Sequence, residues 1–276
     1  MGLTKRQMHE LMIYPEVRIT AEKARGSGTF LYCDEIEGGS GRYESYILTN
    51  EHVVDSLIKV EKKWNALLRR EIKTDVLGTP IVELFDFDYV SRVIGGTTYQ
   101  ASIATYDKDE DLALLRLETP RPFAHIAKLY PRDRFKDLTA LEWVITVGCG
   151  MGNKPVQTAG FLSGFGYEIE NKDYVLISAP SYFGNSGGAT FLLETGEMIG
   201  VPARITVAAI GWSADVVPHI GFSIPIWRVY QFLEDQMFQF VYDPDYTSAQ
   251  CAKMRKDKRE GEELRMLRDE LAGDDD

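Results

Sequence analysis

Residues 183–188 read Phe183-Gly184-Asn185-Ser186-Gly187-Gly188, set between apolar runs at 174–179 and 189–193. A serine that acts as a nucleophile needs a tight, exposed turn with backbone N–H groups aimed at the developing oxyanion. Gly184 allows the chain to turn inward without a Cβ clash. The N–H groups of Gly184 and Ser186 are then expected to point into one hollow. Gly187 and Gly188 let neighbouring chain pack closely behind the hydroxyl. Read alone, the same six residues also suit a glycine-rich hairpin turn with no chemistry.

A serine hydroxyl is a weak nucleophile without a base beside it. The chain has 4 histidines: His9, His52, His125 and His219. His9 lies in the leading segment, His125 follows the loop-like Thr119-Pro120-Arg121-Pro122 stretch, and His219 follows Pro218. His52 alone stands at the end of a strand-like run, Tyr46-Ile47-Leu48-Thr49-Asn50-Glu51-His52. The base in turn needs an orienting carboxylate. In Asp107-Lys108-Asp109-Glu110-Asp111-Leu112, Asp111 directly precedes an apolar strand and is the acid expected to enter the interior. A buried ion there must be paired or hydrogen-bonded. Asp107, Asp109 and Glu110 are expected on a solvated loop.

Outward from these residues the texture is that of an all-β chain. Strands are expected at 28–33, 43–49, 81–87, 97–106, 112–117, 143–147, 160–166, 174–179, 189–193, 198–201 and 221–224. Most are rich in Val, Ile, Thr, Tyr and Phe, which suit a pleated half-buried surface. Many short strands separated by turn signals predict a sandwich or barrel. Residues 1–15 read as a polar lead-in. A short turn or helix is expected over 53–57. A longer helix opens at Pro225, placed as a first helical residue, with Trp227, Tyr230, Leu233 and Met237 at helical spacing. Residues 241–250 read as a linker. Residues 251–276 are a charged tail in which Leu264, Leu267 and Leu271 form a stripe too narrow for an isolated coiled coil. That tail is expected to be a solvated helix, with docking or oligomerisation as its alternative use.

Composition narrows the partners. The 276 residues are 44% hydrophobic and 26% charged, with a net charge of -11. Such acidity repels phosphate backbones, so nucleic acid is not an expected partner. Cys33, Cys149 and Cys251 lack metal-ligand or disulfide-framework spacing, and no metal or cofactor is implied. No apolar run matches a secretory signal or a membrane span. A cytoplasmic protein is expected.

The blocks Gly26-Ser27-Gly28-Thr29-Phe30, Leu48-Thr49-Asn50-Glu51-His52-Val53-Val54, Asp111-Leu112-Ala113-Leu114-Leu115, Gly184-Asn185-Ser186-Gly187-Gly188 and Gly221-Phe222-Ser223-Ile224-Pro225 occur in this order. Together they resemble the trypsin-like serine peptidases of the chymotrypsin clan, and within it the HtrA (Deg) type. The segment from Val147-Gly148-Cys149-Gly150 to Gly160-Phe161-Leu162-Ser163-Gly164 is also similar to that branch. The resemblance covers roughly residues 16–240. It implies two six-stranded antiparallel β-barrels with the site in the cleft between them. His52 and Asp111 would come from the first barrel and Ser186 from the second. The His-Asp-Ser order matches the chymotrypsin arrangement.

The resemblance also implies a primary substrate pocket at Pro180, Ser181, Tyr182 and Phe183 and at Val201, Pro202 and Ala203. No carboxylate stands there, so a small or medium apolar side chain is the expected preference, and a protein or peptide the expected substrate. Departures are a long stretch between His52 and Asp111, with an insert at about 59–95 expected to shape or cover the cleft, and no room after residue 240 for the PDZ domain usual in that branch. A stand-alone intracellular or viral peptidase is the expectation. The alternatives are a two-barrel binding protein without turnover and an esterase using the same triad.

Overall fold

The computed structural model describes residues 2–36, 39, 41–65, 70–210 and 213–273; the side chains at 90, 209–210, 213–214 and 266–273 lie outside that description. The chain starts with α1 (Lys5–Met8), capped by Thr4, and a π-helical turn at His9–Ile13. This segment is more than a polar lead-in. Met12 is buried in the larger core, and Leu3, Met8 and Leu11 pack against it.

The first sheet holds β1 (Glu16–Thr20), β2 (Arg25–Glu35), β3 (Tyr43–Thr49), β6 (Ile81–Phe87), β7 (Val93–Gln100), β8 (Ser102–Asp107) and β9 (Leu112–Thr119). Its order is β7-β6-β1-β2-β3-β9-β8. The single run expected at 97–106 is therefore split. Only Ala101 separates β7 from β8, yet they occupy opposite edges of the sheet. The sheet must roll almost into a cylinder for two successive segments to serve both edges, with a seam at Ala101 in place of a continuous ladder. This is the first difference from the implied six strands per barrel.

The second sheet holds β10 (Lys128–Leu129), β11 (Trp143–Gly148), β12 (Val156–Ile169), β13 (Lys172–Ile177), β14 (Ala189–Leu192), β15 (Glu197–Ile210) and β16 (Ser213–Pro225). It runs β10-β15-β14-β11-β12-β13-β16, with an added β15–β16 pairing. β10 is an extra parallel edge on β15. The architecture is a trypsin-like β fold of two barrels followed by a helix.

The apolar runs that mark the barrel wall have a two-sided cause. In β9, Ala113, Leu115 and Leu117 fill the smaller core, whereas Leu112 and Leu114 fill the larger one. In β3, Ile47 faces the first and Tyr46 and Leu48 the second. A strand buried on both faces loses polar alternation. Each fully buried Leu contributes about 1.5–3 kcal/mol, so these two strands weld the barrels together.

α3 (Ile226–Asp235) follows β16, with Pro225 as its extended N-cap and not its first helical residue. It buries Ile226, Val229, Phe232 and Leu233. The linker expected at 241–250 is partly ordered structure: a 3-10 turn at Gln239–Val241 leads to α4 (Ser248–Gly273). Cys251 is fully buried, and the Arg255 guanidinium lies 4.0 Å from the Phe238 ring centroid. The start of the tail is thus packed on the body, while Leu264 is exposed. The Leu267 and Leu271 side chains and residues 274–276 lie outside the described residues.

The insert is two things. β4 (Ile58–Asn65) and β5 (Arg70–Leu77) make a separate two-stranded sheet. Val60 and Trp64 stand exposed on one face of it. The remainder, β6 and β7, is wall of the first barrel. Among the described residues no helix is long and apolar enough to cross a membrane.

Candidate active site

β3 ends at Thr49, and α2 (Glu51–Val54) starts at once, with Asn50 extended before it. Val53 and Val54 are buried and pin this turn, which leaves the preceding His52 side chain 43% exposed. Across from it, Asp107 Oδ1 accepts hydrogen bonds from the Asp109 and Glu110 N–H groups at 2.9 and 3.0 Å. That tight turn delivers Asp111 at a positive φ of 54°. Its carboxylate accepts from His52 Nδ1 at 2.9 Å (Oδ1) and 3.0 Å (Oδ2), and from the His52 backbone N–H at 3.1 Å. Asn50 Nδ2 donates to the Asp111 carbonyl at 2.8 Å. An Nδ1–H held by a carboxylate leaves Nε2 as the acceptor nitrogen.

Ser186 sits on the β13–β14 connection, flush against the segment that carries His52. A Cβ at Gly187 would meet Thr49 Oγ1 at 2.2 Å and the Asn50 N at 3.0 Å. A Cβ at Gly26 would meet Val53 Cγ2 at 2.6 Å and the Ser186 carbonyl at 3.1 Å. Both glycines are therefore required by close approach, as the sequence suggested for Gly187. Gly184 has φ 97° and Gly187 φ 84°, conformations that side chains rarely adopt.

Three backbone N–H groups of this loop are used within the protein. Asn185 N donates to the Tyr182 carbonyl, Gly187 N to that of Pro202, and Gly188 N to that of Asn185. Among the described residues, the Gly184 and Ser186 N–H groups have no protein acceptor. Neither do Ser186 Oγ and His52 Nε2 have a partner, so the hydroxyl–imidazole bond is not formed in this state. Catalytic hydrogen bonds often tighten only once substrate is bound.

Ser27 had no role assigned from sequence, yet it ties the first barrel to the nucleophile loop. Its side chain is fully buried. Its Oγ donates to the Gly184 carbonyl at 2.6 Å and accepts from Cys149 N at 2.6 Å. Its N–H donates to the Ser186 carbonyl at 2.8 Å, and its carbonyl accepts from Thr49 Oγ1 at 2.8 Å. Its only trace in the sequence is the Gly26-Ser27-Gly28 run, which says nothing of what lies opposite.

Other expectations shift. Glu110 is turned toward the second barrel, where it pairs with Lys172 and Arg228 instead of lying in solvent. His219 lies within β16, its Nδ1 3.1 Å from the Ser178 carbonyl. Ser181 is buried, and its N–H donates to the Pro218 carbonyl at 2.9 Å. Tyr182 and Phe183 are exposed. Val201 belongs to the larger core, Pro202 is buried and Ala203 partly so. Val201, with no exposed surface, is therefore not placed to line a pocket. A cavity of about 560 Å³ opens elsewhere, between Tyr14, Phe85, Phe87 and Phe123, and none of His52, Asp111 or Ser186 borders it.

Burial pushes Glu51 above the usual carboxylate range, helped by the charges of Asp111 and Asp55. Burial likewise raises the Cys149 thiol, with Glu16 adding to it, so no thiolate competes at this site. Glu16 itself is fully buried next to the loop. Its Oε1 accepts from Thr29 Oγ1 at 2.8 Å, whereas Oε2 has no partner. Burial pushes its carboxyl well up.

Two rolled β-sheets packed against each other, with an acid–imidazole pair and a glycine-framed serine where they meet, define the trypsin-like class of fold. The model of the trypsin-like peptidase domain matches residues 26–201, and the chain belongs to that family. Among relatives, the mitochondrial serine protease HTRA2 of Bos taurus is 30% identical over 149 residues, 51% of this chain and 29% of that protein. Serine protease HTRA1B of Danio rerio is 29% identical over 147 residues, 51% of this chain and 28% of that one. The chain spans about a third of the length of such relatives. Among solved structures, the HtrA-type protease AlgW with tripeptide superposes with a TM-score of 0.57 at 19% identity, covering 86% of this chain and 64% of that one, a likeness of fold.

Proposed function

We propose that this chain is a serine endopeptidase in which Ser186 is the nucleophile, His52 the general base and Asp111 the orienting acid. The observation that carries the reading is the Asp111–His52 Nδ1 pair, which leaves Nε2 as the free acceptor, beside a nucleophile loop in which the Ser186 and Gly184 N–H groups are unclaimed. Ser186 Oγ attacks the scissile carbonyl while His52 Nε2 takes its proton. Asp111 stabilises the imidazolium, and the carbonyl oxygen, now an oxyanion, accepts from the Gly184 and Ser186 N–H groups. Collapse expels the amine, protonated by His52, and water then hydrolyses the acyl-enzyme by the same route. The substrate is a protein or peptide.

Tyr182, Phe183 and Ala203 are the surface residues proposed to border the primary pocket, with Pro180, Ser181, Val201 and Pro202 behind them. No acid stands among them, so an apolar side chain of small or medium size is preferred there. A peptide library cleaved mainly after Lys or Arg would refute that preference.

The open Ser186–His52 step supports a second reading, a binding protein that does not turn over. A fluorophosphonate probe separates the two. Labelling of the wild type that Ser186→Ala abolishes supports the peptidase; an unlabelled wild type removes it. Profiling with peptide and ester substrates separates peptidase from esterase.

A further inference from the structure

The acid of the site is held from both sides. On the first barrel, Asn50 Nδ2 grips the Asp111 carbonyl. On the other side stands Arg228, on α3, its side chain only 7% exposed. Its Nε donates to Glu110 Oε2 at 2.7 Å and its Nη2 to the Glu110 carbonyl at 3.2 Å. Its Nη1 donates to the Asp173 carbonyl at 2.9 Å, and its guanidinium lies 5.1 Å from the Tyr174 ring centroid. Lys172 Nζ takes the remaining Glu110 oxygen. One guanidinium thus clamps both the carboxylate and the backbone of the residue immediately before Asp111, and anchors them to β13.

We propose that Arg228 is a positioning residue for the Asp111–His52 pair, a strap by which the second barrel sets the acid carried by the first. The kinetic consequence of this strap, though not its geometry, rests on the peptidase reading. Asp111 adopts a left-handed backbone conformation without being glycine. Such a conformation is costly and persists only where the surroundings over-determine it. The peptide unit leading into Asp111 carries the carbonyl that Arg228 holds, so a shift there rotates the Asp111 carboxylate directly. Three divergent hydrogen bonds in one plane are the geometry of a guanidinium fork, which an ammonium cannot reproduce. The nucleophile and the strap both belong to the second half of the chain. The acid is therefore in place only when the two barrels are docked in register.

The test uses the full chain carrying Arg228→Met, Arg228→Lys or Glu110→Gln. It reads melting temperature, kcat and KM on a peptide substrate, and the low-field proton resonance of His52 Nδ1–H. A misplacement on the order of 1 Å can cost about 100-fold. Arg228→Met should lower kcat about 10- to 100-fold with KM within about twofold, and should shift or broaden the Nδ1–H resonance. Arg228→Lys should recover part of the loss. Glu110→Gln keeps the carbonyl grip and should lose less. A folded Arg228→Met protein with wild-type kcat and an unmoved Nδ1–H resonance overturns the proposal. If Arg228→Met does not fold, Glu110→Gln decides, and an unchanged kcat and resonance there overturn it equally. Should the wild type prove unreactive to fluorophosphonate, the peptidase reading falls. The resonance then still decides the strap by itself.

Discussion

Replacing Ser27 by alanine removes one oxygen from the protein and is expected to damage both its stability and its chemistry. That oxygen donates to the Gly184 carbonyl and accepts from the Cys149 N–H, each at 2.6 Å, in a position with no solvent access. Ser27→Ala would strand one backbone acceptor and one backbone donor in the interior. Each orphaned group costs about 1–3 kcal/mol, so the loss should be about 2–6 kcal/mol. For a domain of this size, each kcal/mol lowers Tm by about 2–4 °C. A fall of roughly 4–24 °C in a calorimetric or circular-dichroism melt is therefore expected. The Gly184 carbonyl belongs to the peptide unit between the two N–H groups proposed to bind the oxyanion. Freed from Ser27, Gly184 can rotate its own N–H out of line. Loss of one such donor costs about 100- to 1000-fold in kcat, and partial misalignment should cost about 10- to 100-fold, with KM little changed. A melt within about 2 °C of wild type together with a kcat within about twofold would refute this account of Ser27 as a clamp.

Glu16→Gln tests the buried carboxyl beneath Gly188. Burial raises its folded-state value well above the ordinary one, so the folded protein holds this proton where the unfolded chain releases it. Its stability relative to the Gln variant should therefore fall as pH rises above about 4.5. Glu16→Gln should melt higher than wild type at pH 8, with the gap closing toward pH 4; a pH-independent gap contradicts the assignment. Glu110 has the opposite sign. Burial opposes its ionisation, but the hydrogen bonds and charges of Lys172 and Arg228 prevail and lower it. The stability this gives is present above the usual carboxylate range and is lost as pH falls through the lowered value. The destabilisation by Glu110→Gln, read from melts, should shrink on acidification below about pH 4. Gly160→Ala should cost more than about 3 kcal/mol in urea unfolding, because its Cβ would lie 2.2 Å from Ala179 N and 2.6 Å from Ala179 Cα. Backbone cannot yield there as a flexible side chain could, and a mild effect would mean that β12 and the 178–179 backbone can part at little cost.

The residues read in order were enough for the kind of backbone and for the three groups proposed for chemistry. The strands over 43–49 and 81–87 have the bounds expected of them, because β-branched and aromatic runs between turn residues are a local signal. His52 is the one histidine at the end of a strand-like run, and Asp111 the acid next to an apolar strand, so both could be singled out before any contact was known. Whatever depends on which distant backbone lies opposite came only with the packing of the two barrels. Packing split the run at 97–106 across two edges, and it buried Met12 and Cys251 at ends of the chain that read as solvated. It turned Glu110 away from water onto Arg228, and it gave Ser27 three bonds, to Cys149, Gly184 and Ser186, far along the chain. Local patterning records how each residue meets its neighbours in sequence. A buried hydrogen bond between residues more than a hundred positions apart is fixed by the docking of the two barrels, and no short stretch of sequence carries that information.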